Sequence, residues 1–150
     1  MDAYAGDVSP REAWQMLKEN PEATLVDIRT EGEWQMVGVP DISSLGRAPI
    51  FVEFVTYPRG EFNPHFFAQL AEAGVKPGTD APVLFICRSA HRSMYAAAAA
   101  TEQGIRPSYN VTEGFEGRHA YYGGDGSDGW KAAGLPWRNM EDSPGGTNVP

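Results

Sequence analysis

Apolar positions along the chain fall into two kinds of pattern, short continuous runs and longer stretches at helical spacing. ATLVDIR (Ala23–Arg29), APIFVEFVTY (Ala48–Tyr57), VLFIC (Val83–Cys87) and PSYNV (Pro107–Val111) are strand-length and rich in β-branched or aromatic residues. VLFIC is apolar at every position, which a central parallel strand buried on both faces requires. The helical stretches carry their own punctuation. Ser9, Pro10 and Glu12 read as an N-cap, a proline at the first helical position and a capping-box glutamate. Ala13, Trp14, Met16 and Leu17 then supply an apolar face that ENPEA terminates. Thr30 reads as the cap of one or two turns over TEGEWQMVG. Asn63 caps a helix that starts at Pro64 and stops at Gly74. HRSMYAAAAATEQG (His91–Gly104) is the strongest helix, and its alanines suit close packing on a sheet. Strands alternating with helices predict an α/β fold with a mostly parallel sheet covered on both faces.

Beyond Val111 the composition shifts to glycine and aromatics, predicting loops and short helices that wrap the sheet. Residues 1–140 are expected to form one domain, and 141–150 a disordered tail with almost nothing to bury. A chain of 150 residues, 41% of them hydrophobic, can bury a core without disulfides or metals. Its one cysteine gives no internal disulfide, and the acidic start MDAYAGDVSPREAW has neither the basic nor the apolar part of a signal peptide. The apolar runs are too short for a membrane span, so a cytoplasmic location is expected. A net charge of −8 argues against nucleic acid or an anionic membrane as partner.

Against that charge, one cluster changes the picture. Cys87 ends the VLFIC run, and Arg88, His91 and Arg92 follow it. A cysteine closing an apolar strand is ordinarily a small buried hydrophobe. The residues after it are poor choices for packing and suit holding an anion. In open α/β sheets ligands bind beyond the strands' carboxyl ends, where loops run into helix N-termini. A tight loop from Arg88 into the next helix would present amide dipoles and cations to a thiolate, the setting in which cysteines become nucleophiles.

CRSAHRS (Cys87–Ser93), LVDIRTEGEW (Leu25–Trp34), VTEGFEG (Val111–Gly117) and GWKAAGLPW (Gly129–Trp137) occur in an order that resembles single-domain rhodaneses, a sulfurtransferase family. The resemblance spans most of Ser9–Trp137. It implies a three-layer α/β/α fold around about five strands. It also implies that Cys87 attacks the outer sulfur of a donor such as thiosulfate and becomes a persulfide. Arg88, Ser89, Ala90, His91, Arg92 and Ser93 would bind the donor and the persulfide, with Arg88 and Arg92 stabilising the departing sulfite. Asp27 and Arg29 would brace the loop; the competing reading, which suits Arg29 better than Asp27, is a surface pair at a strand end. No metal or cofactor is expected. The partners implied are a small anionic sulfur donor and an external acceptor: cyanide, a thiol or a protein. With one cysteine, no internal disulfide can release the sulfur. Two departures stand out. VGVPDISS (Val37–Ser44) replaces the segment usual after the first signature, and Ala90 stands where related loops often have glycine, a strain if that residue needs positive φ.

Other readings compete. Cysteine phosphatases and arsenate reductases of the same fold need an arginine six positions after the cysteine, and Ser93 stands there. A persulfide carrier or binding module serving a protein partner keeps the cysteine without requiring turnover on small donors. GDGSDG (Gly124–Gly129) has the letters of a dinucleotide motif but lacks the preceding strand and following helix. Cys87 and His91 lack a second pair of zinc ligands. His65 and His119 suit surface or capping roles, and the pairs Phe66–Phe67 and Tyr121–Tyr122 suit packing.

Overall fold

The computed structural model describes residues 3–118 and 128–142. His119, Tyr121, Tyr122, most of GDGSDG and the 143–150 part of the expected tail lie outside the described residues. In chain order the elements are β1 (Gly6–Val8), α1 (Pro10–Glu19), β2 (Thr24–Asp27), α2 (Glu31–Val37), β3 (Val39–Pro40), β4 (Ile50–Phe51), β5 (Val55–Thr56) and β6 (Glu61–Phe62). They continue with α3 (Phe66–Glu72), β7 (Val83–Ile86), α4 (His91–Glu102), β8 (Ser108–Val111) and β9 (Trp137–Arg138).

Five strands form a parallel sheet in the order β1-β8-β7-β2-β4. The all-apolar VLFI of β7 is its centre, and every residue of that strand is buried. Period-2 alternation divides the strands between two cores. Val26, Val83 and Phe85 face α3 and α4, while Leu25, Leu84 and Ile86 face α1, Phe115 and Trp130. The α/β/α layering expected from the pattern is therefore present. Ala96, Ala97 and Ala100 are buried, so α4 lies close on the sheet, with Phe66, Leu70 and Phe54 filling the space beside it.

Local signals explain the boundaries. Ser9 and Glu12 make the reciprocal capping box of α1, and Arg47 donates to the Leu17, Asn20 and Ala23 carbonyls at its other end. Thr30 and Glu33 form a second capping box. Three expectations need correction. Ala48–Tyr57 is not one strand: β4 stops at Phe51, where its partner β2 also ends, and the chain turns into the β5–β6 hairpin. Asn63 does not cap α3, which begins at Phe66. Its side chain instead accepts from the His65 N–H and donates to Glu53 and Gln69. In the region after Val111, residues 112–118 and 128–134 are turns rather than helices.

The short β1 and the β3–β9 pair carried no sequence signal. β3 answers the question raised by VGVPDISS: it pairs antiparallel with β9, so the departing segment is held by the chain's last described strand. Gly38 is needed there. Its φ is +102°, and a Cβ would lie 2.8 Å from the Arg138 carbonyl oxygen and the Trp137 ring.

Candidate active site

Cys87 follows β7 directly, and the helical bonds of α4 resume when Met94 N donates to the Ala90 carbonyl. The intervening residues curl around the sulfur. Ala90 N–H donates to Sγ at 3.1 Å and Ser93 N–H at 3.4 Å. Both amides belong to the N-terminal end of α4, whose dipole favours negative charge at this position. Cys87 is 1% exposed, so the sulfur sits at the base of the loop.

The loop's curvature depends on Ala90, which has φ +94° and ψ −10°. A left-handed alanine costs about 1–2 kcal/mol relative to glycine there. The strain anticipated for a non-glycine residue at this position is present.

A second segment holds the loop from below. Phe115 N–H donates to the Cys87 carbonyl at 2.8 Å and Glu116 N–H to the Arg88 carbonyl at 3.0 Å. Gly114, at φ +64°, comes so close that a Cβ would lie 2.6 Å from Ser89 N and nearer still to the Arg88 carbonyl. This contact explains why VTEGFEG belongs with CRSAHRS: one is the clamp of the other. Trp130 N–H closes the clamp on the Gly114 carbonyl at 2.9 Å.

Asp27 and Arg29 are both 0% exposed and form a direct pair at 2.7 Å, so a surface role is excluded. Arg29 also donates to the Gly38 carbonyl at 2.9 Å and lies 4.3 Å over the Phe115 ring. Lys131 stands over the same ring at 5.4 Å and over Trp137 at 3.9 Å. Burial, with Arg29 nearby, lowers the Lys131 pKa, while Glu116 opposes the shift. Arg29 is linked to the loop through Phe115, whose N–H holds the Cys87 carbonyl.

The cations do not stand as the sequence alone suggested. Arg92 makes a two-pronged pair with Glu33, Nη1 to Oε1 at 2.7 Å and Nη2 to Oε2 at 2.8 Å. Burial of Glu33 raises its pKa, but Arg92's hydrogen bonds and charge, the Thr30 N–H and Arg29 outweigh this and bring it to about 2. Arg88 Nε lies 3.3 Å from Glu116 Oε2. Arg88 and Arg92 are thus each matched by a glutamate from another segment. The guanidinium fork of Arg92 is engaged rather than open to an anion. His91 opens α4 on an exposed position, and Ser89 is buried with no partner for its hydroxyl among the described residues.

Ser93 is the residue that sequence reading placed least well. It is fully buried, with Oγ 3.2 Å from Cys87 Sγ and 2.6 Å from Asn110 Oδ1. Asn110 in turn donates to Asp7 Oδ1 at 3.0 Å. Glu33, Glu116, Gly114, Asn110 and Asp7 were all missed as site residues. Only two left a signal: the Thr30-x-x-Glu33 capping pattern, and a polar Asn110 inside an otherwise buried strand.

The chain is similar over most of its length to several known proteins. A solved structure of Rv0390 from M. tuberculosis is 51% identical, covering 91% of this chain and 99% of that one, with a TM-score of 0.81. An uncharacterised protein of Rickettsia conorii is 33% identical over 88% of this chain and 96% of its own. The polysulfide-sulfur transferase of Wolinella succinogenes is 26% identical, covering 78% and 74% of the two chains, at a TM-score of 0.53. A rhodanese-like domain protein of Staphylococcus aureus, 18% identical over 87% and 96% at a TM-score of 0.52, shares the fold. The family model described as the STR4 middle domain matches residues 5–143, so this rhodanese-like α/β chain belongs to the STR4 middle-domain family.

Proposed function

We propose that this protein is a sulfurtransferase that carries sulfane sulfur as a persulfide on Cys87. The observation that carries the reading is the Cys87 sulfur held at the start of α4 by the Ala90 and Ser93 amides. Amide donors fixed in this way stabilise a thiolate and, after transfer, a persulfide anion without reorganising. In the first half-reaction the Cys87 thiolate attacks the outer sulfur of thiosulfate. The donor's S–S bond breaks, its electron pair leaves with sulfite, a new S–S bond forms on Cys87, and the outer sulfur carries the negative charge. In the second, cyanide or a thiolate attacks that outer sulfur and the Cys87 thiolate departs. Arg88 and Arg92 are the residues that would meet the donor's oxygens, after yielding their contacts with Glu116 and Glu33.

Ser93 argues against a phosphatase. Its hydroxyl is buried between Cys87 and Asn110, where a phosphate loop would need an arginine fork. One observation favours a second reading, a persulfide carrier serving a protein. Glu33 occupies the Arg92 fork that a small dianion would use. Steady-state thiocyanate formation separates the two. A turnover enzyme gives parallel double-reciprocal lines when thiosulfate or polysulfide is varied against cyanide. A Cys87 that accepts sulfur but passes none to cyanide or small thiols supports the carrier, and one that accepts none from either donor contradicts both.

A further inference from the structure

The polar chain that runs from Cys87 through Ser93 and Asn110 to Asp7 takes no direct part in the transfer steps described above, and its hydrogens can be assigned from its far end. Asp7 on β1 is exposed, and its carboxylate can only accept. It receives Tyr4 Oη at 2.7 Å and Asn110 Nδ2 at 3.0 Å on the same oxygen. The Asn110 amide is therefore turned with its NH2 toward Asp7 and its Oδ1 toward Ser93. Oδ1 accepts the Ser93 hydroxyl hydrogen at 2.6 Å. Ser93 has one hydrogen to give and has given it away from Cys87. Toward the sulfur, 3.2 Å away, it presents a lone pair that suits a thiol S–H and opposes a thiolate. Cys87, Ser93 and Asn110 are 1%, 0% and 3% exposed, so bulk solvent does not reach this part of the chain.

We propose that Asp7 is a positioning residue which, through Asn110 and Ser93, keeps the Ser93 hydroxyl turned from Cys87 and so holds the resting sulfur as a thiol. Forming the thiolate requires the Ser93 hydrogen to swing onto sulfur and leaves Asn110 Oδ1 without its donor. The two backbone amides on Sγ pull the other way, as do Arg88, paired with Glu116, Arg92, paired with Glu33, and His91 at the start of α4. Asp27 and Arg29 neutralise each other beneath the loop. None of these groups changes in the variants below, so differences between variants report the inner chain. The inference deepens the sulfurtransferase reading by regulating the same nucleophile, but its test uses no sulfur donor.

The test is the rate of Cys87 alkylation by iodoacetamide at one near-neutral pH, followed by intact mass, with the ultraviolet absorbance of the thiolate recorded in parallel. Asp7→Ala removes the acceptor-only partner of the amide. Tyr4, also hydrogen-bonded to Asn110, has a hydroxyl that can donate as well as accept, so Asn110 can offer its NH2 to Ser93 and the hydroxyl is released to sulfur. The expected result is a thiolate fraction raised about tenfold where the wild-type fraction is small. Alkylation rises less, about threefold, because a more stable thiolate is a weaker nucleophile. Asn110→Leu removes the acceptor outright and should move both readouts in the same direction, which guards against a folding defect in either variant. Asp7→Ala also removes a negative charge, and that alone would favour thiolate. Ser93→Ala decides between the two causes: with Ser93 absent, adding Asp7→Ala should give no further gain. Wild-type alkylation and absorbance in both Asp7→Ala and Asn110→Leu would overturn the proposal, as would a full Asp7→Ala gain persisting in the Ser93→Ala background. Either outcome leaves the persulfide reading to be judged by its own experiments.

Discussion

Cys87 stands between two unlike environments. On its inner side it meets Ser93 and, through it, Asn110, side chains that are almost wholly buried and joined by contacts of 2.6 to 3.2 Å. On the outer side stand Arg88 and Arg92, partly exposed and each matched with a glutamate from a distant segment. The inner side is set by close packing and by backbone amides, whose positions follow from β7 and α4. The outer side is set by long side chains that can exchange partners. In the proposed reading, anion capture would be the adjustable part of the site and holding the sulfur the fixed one. A cation beside a cysteine in sequence is not an open cation in the fold: its charge is available only after its partner has been counted.

The sharpest way to break this comparison is to remove the group both sides share. Cys87→Ser should eliminate sulfur loading entirely while keeping the wild-type circular dichroism spectrum and thermal midpoint within a few degrees, because the substitution is small and Ser93 remains. Loading of the serine variant would show that the sulfur acceptor lies elsewhere.

The clamp beneath the loop comes next. Gly114→Ala places a Cβ against the Arg88 and Ser89 backbone and forces alanine into φ +64°. The left-handed conformation alone costs about 1–2 kcal/mol, and the backbone contact adds to it, so a loss of about 2–4 kcal/mol in urea unfolding is expected. Activity should fall with it, since the loop must shift. A variant as stable and active as wild type would show that this close approach is not needed.

The outer side can be sharpened with Glu33→Gln, which keeps the capping hydrogen bonds but not the charge. With the Glu33 charge removed, Arg92 should bind thiosulfate more tightly, lowering KM about three- to tenfold, whereas Arg92→Ala should raise it. An unchanged KM in both variants would remove Arg92 from donor binding. The stability effect has the opposite sign. The carboxyl pKa is depressed from the ordinary 4.5 to about 2, so its contribution is complete above 4.5 and is lost as pH falls through about 2. Because the pair is partly exposed, the stabilisation is at most about 3 kcal/mol. The stability gap between wild type and Glu33→Gln, measured by urea unfolding, should therefore close across that window. A gap that stays constant from neutral pH down to the bottom of the window would contradict the ion pair.

The smallest expected effect is a gain. Ala90→Gly relieves the left-handed alanine at φ +94° but adds freedom to the unfolded chain, for a net stabilisation of about 0.5–1 kcal/mol. A loss of stability on this substitution would mean the alanine methyl packs better than its backbone angle suggests.

The layered fold and the position of Cys87 were legible because both rest on local information. An all-apolar, strand-length VLFIC bounded by loops reads as a buried strand, and Ser9-x-x-Glu12 before an apolar face reads as a helix start. The strain at Ala90 was legible as a condition on φ, which the loop then met. What could not be read was which distant residue meets which. Glu33 lies 59 positions from Arg92 and Asp7 lies 103 from Asn110, and no local pattern encodes those pairings. The long strand expected at Ala48–Tyr57 failed for a related reason, since strand length depends on where the neighbouring strand ends. Gly114 lies within VTEGFEG, but only the folded clamp shows what a side chain there would strike.

The central claim is that Cys87 accepts a sulfur atom, and intact mass tests it most directly. The fully reduced protein is incubated anaerobically with thiosulfate, and separately with polysulfide, then weighed before and after a thiol reductant. Two added oxygens weigh nearly the same as one sulfur, and only the persulfide is reversed by thiol. The account predicts a gain of one sulfur that maps to Cys87 and disappears on reduction. A mass unchanged by both donors, or a gain that thiol cannot remove, would contradict it.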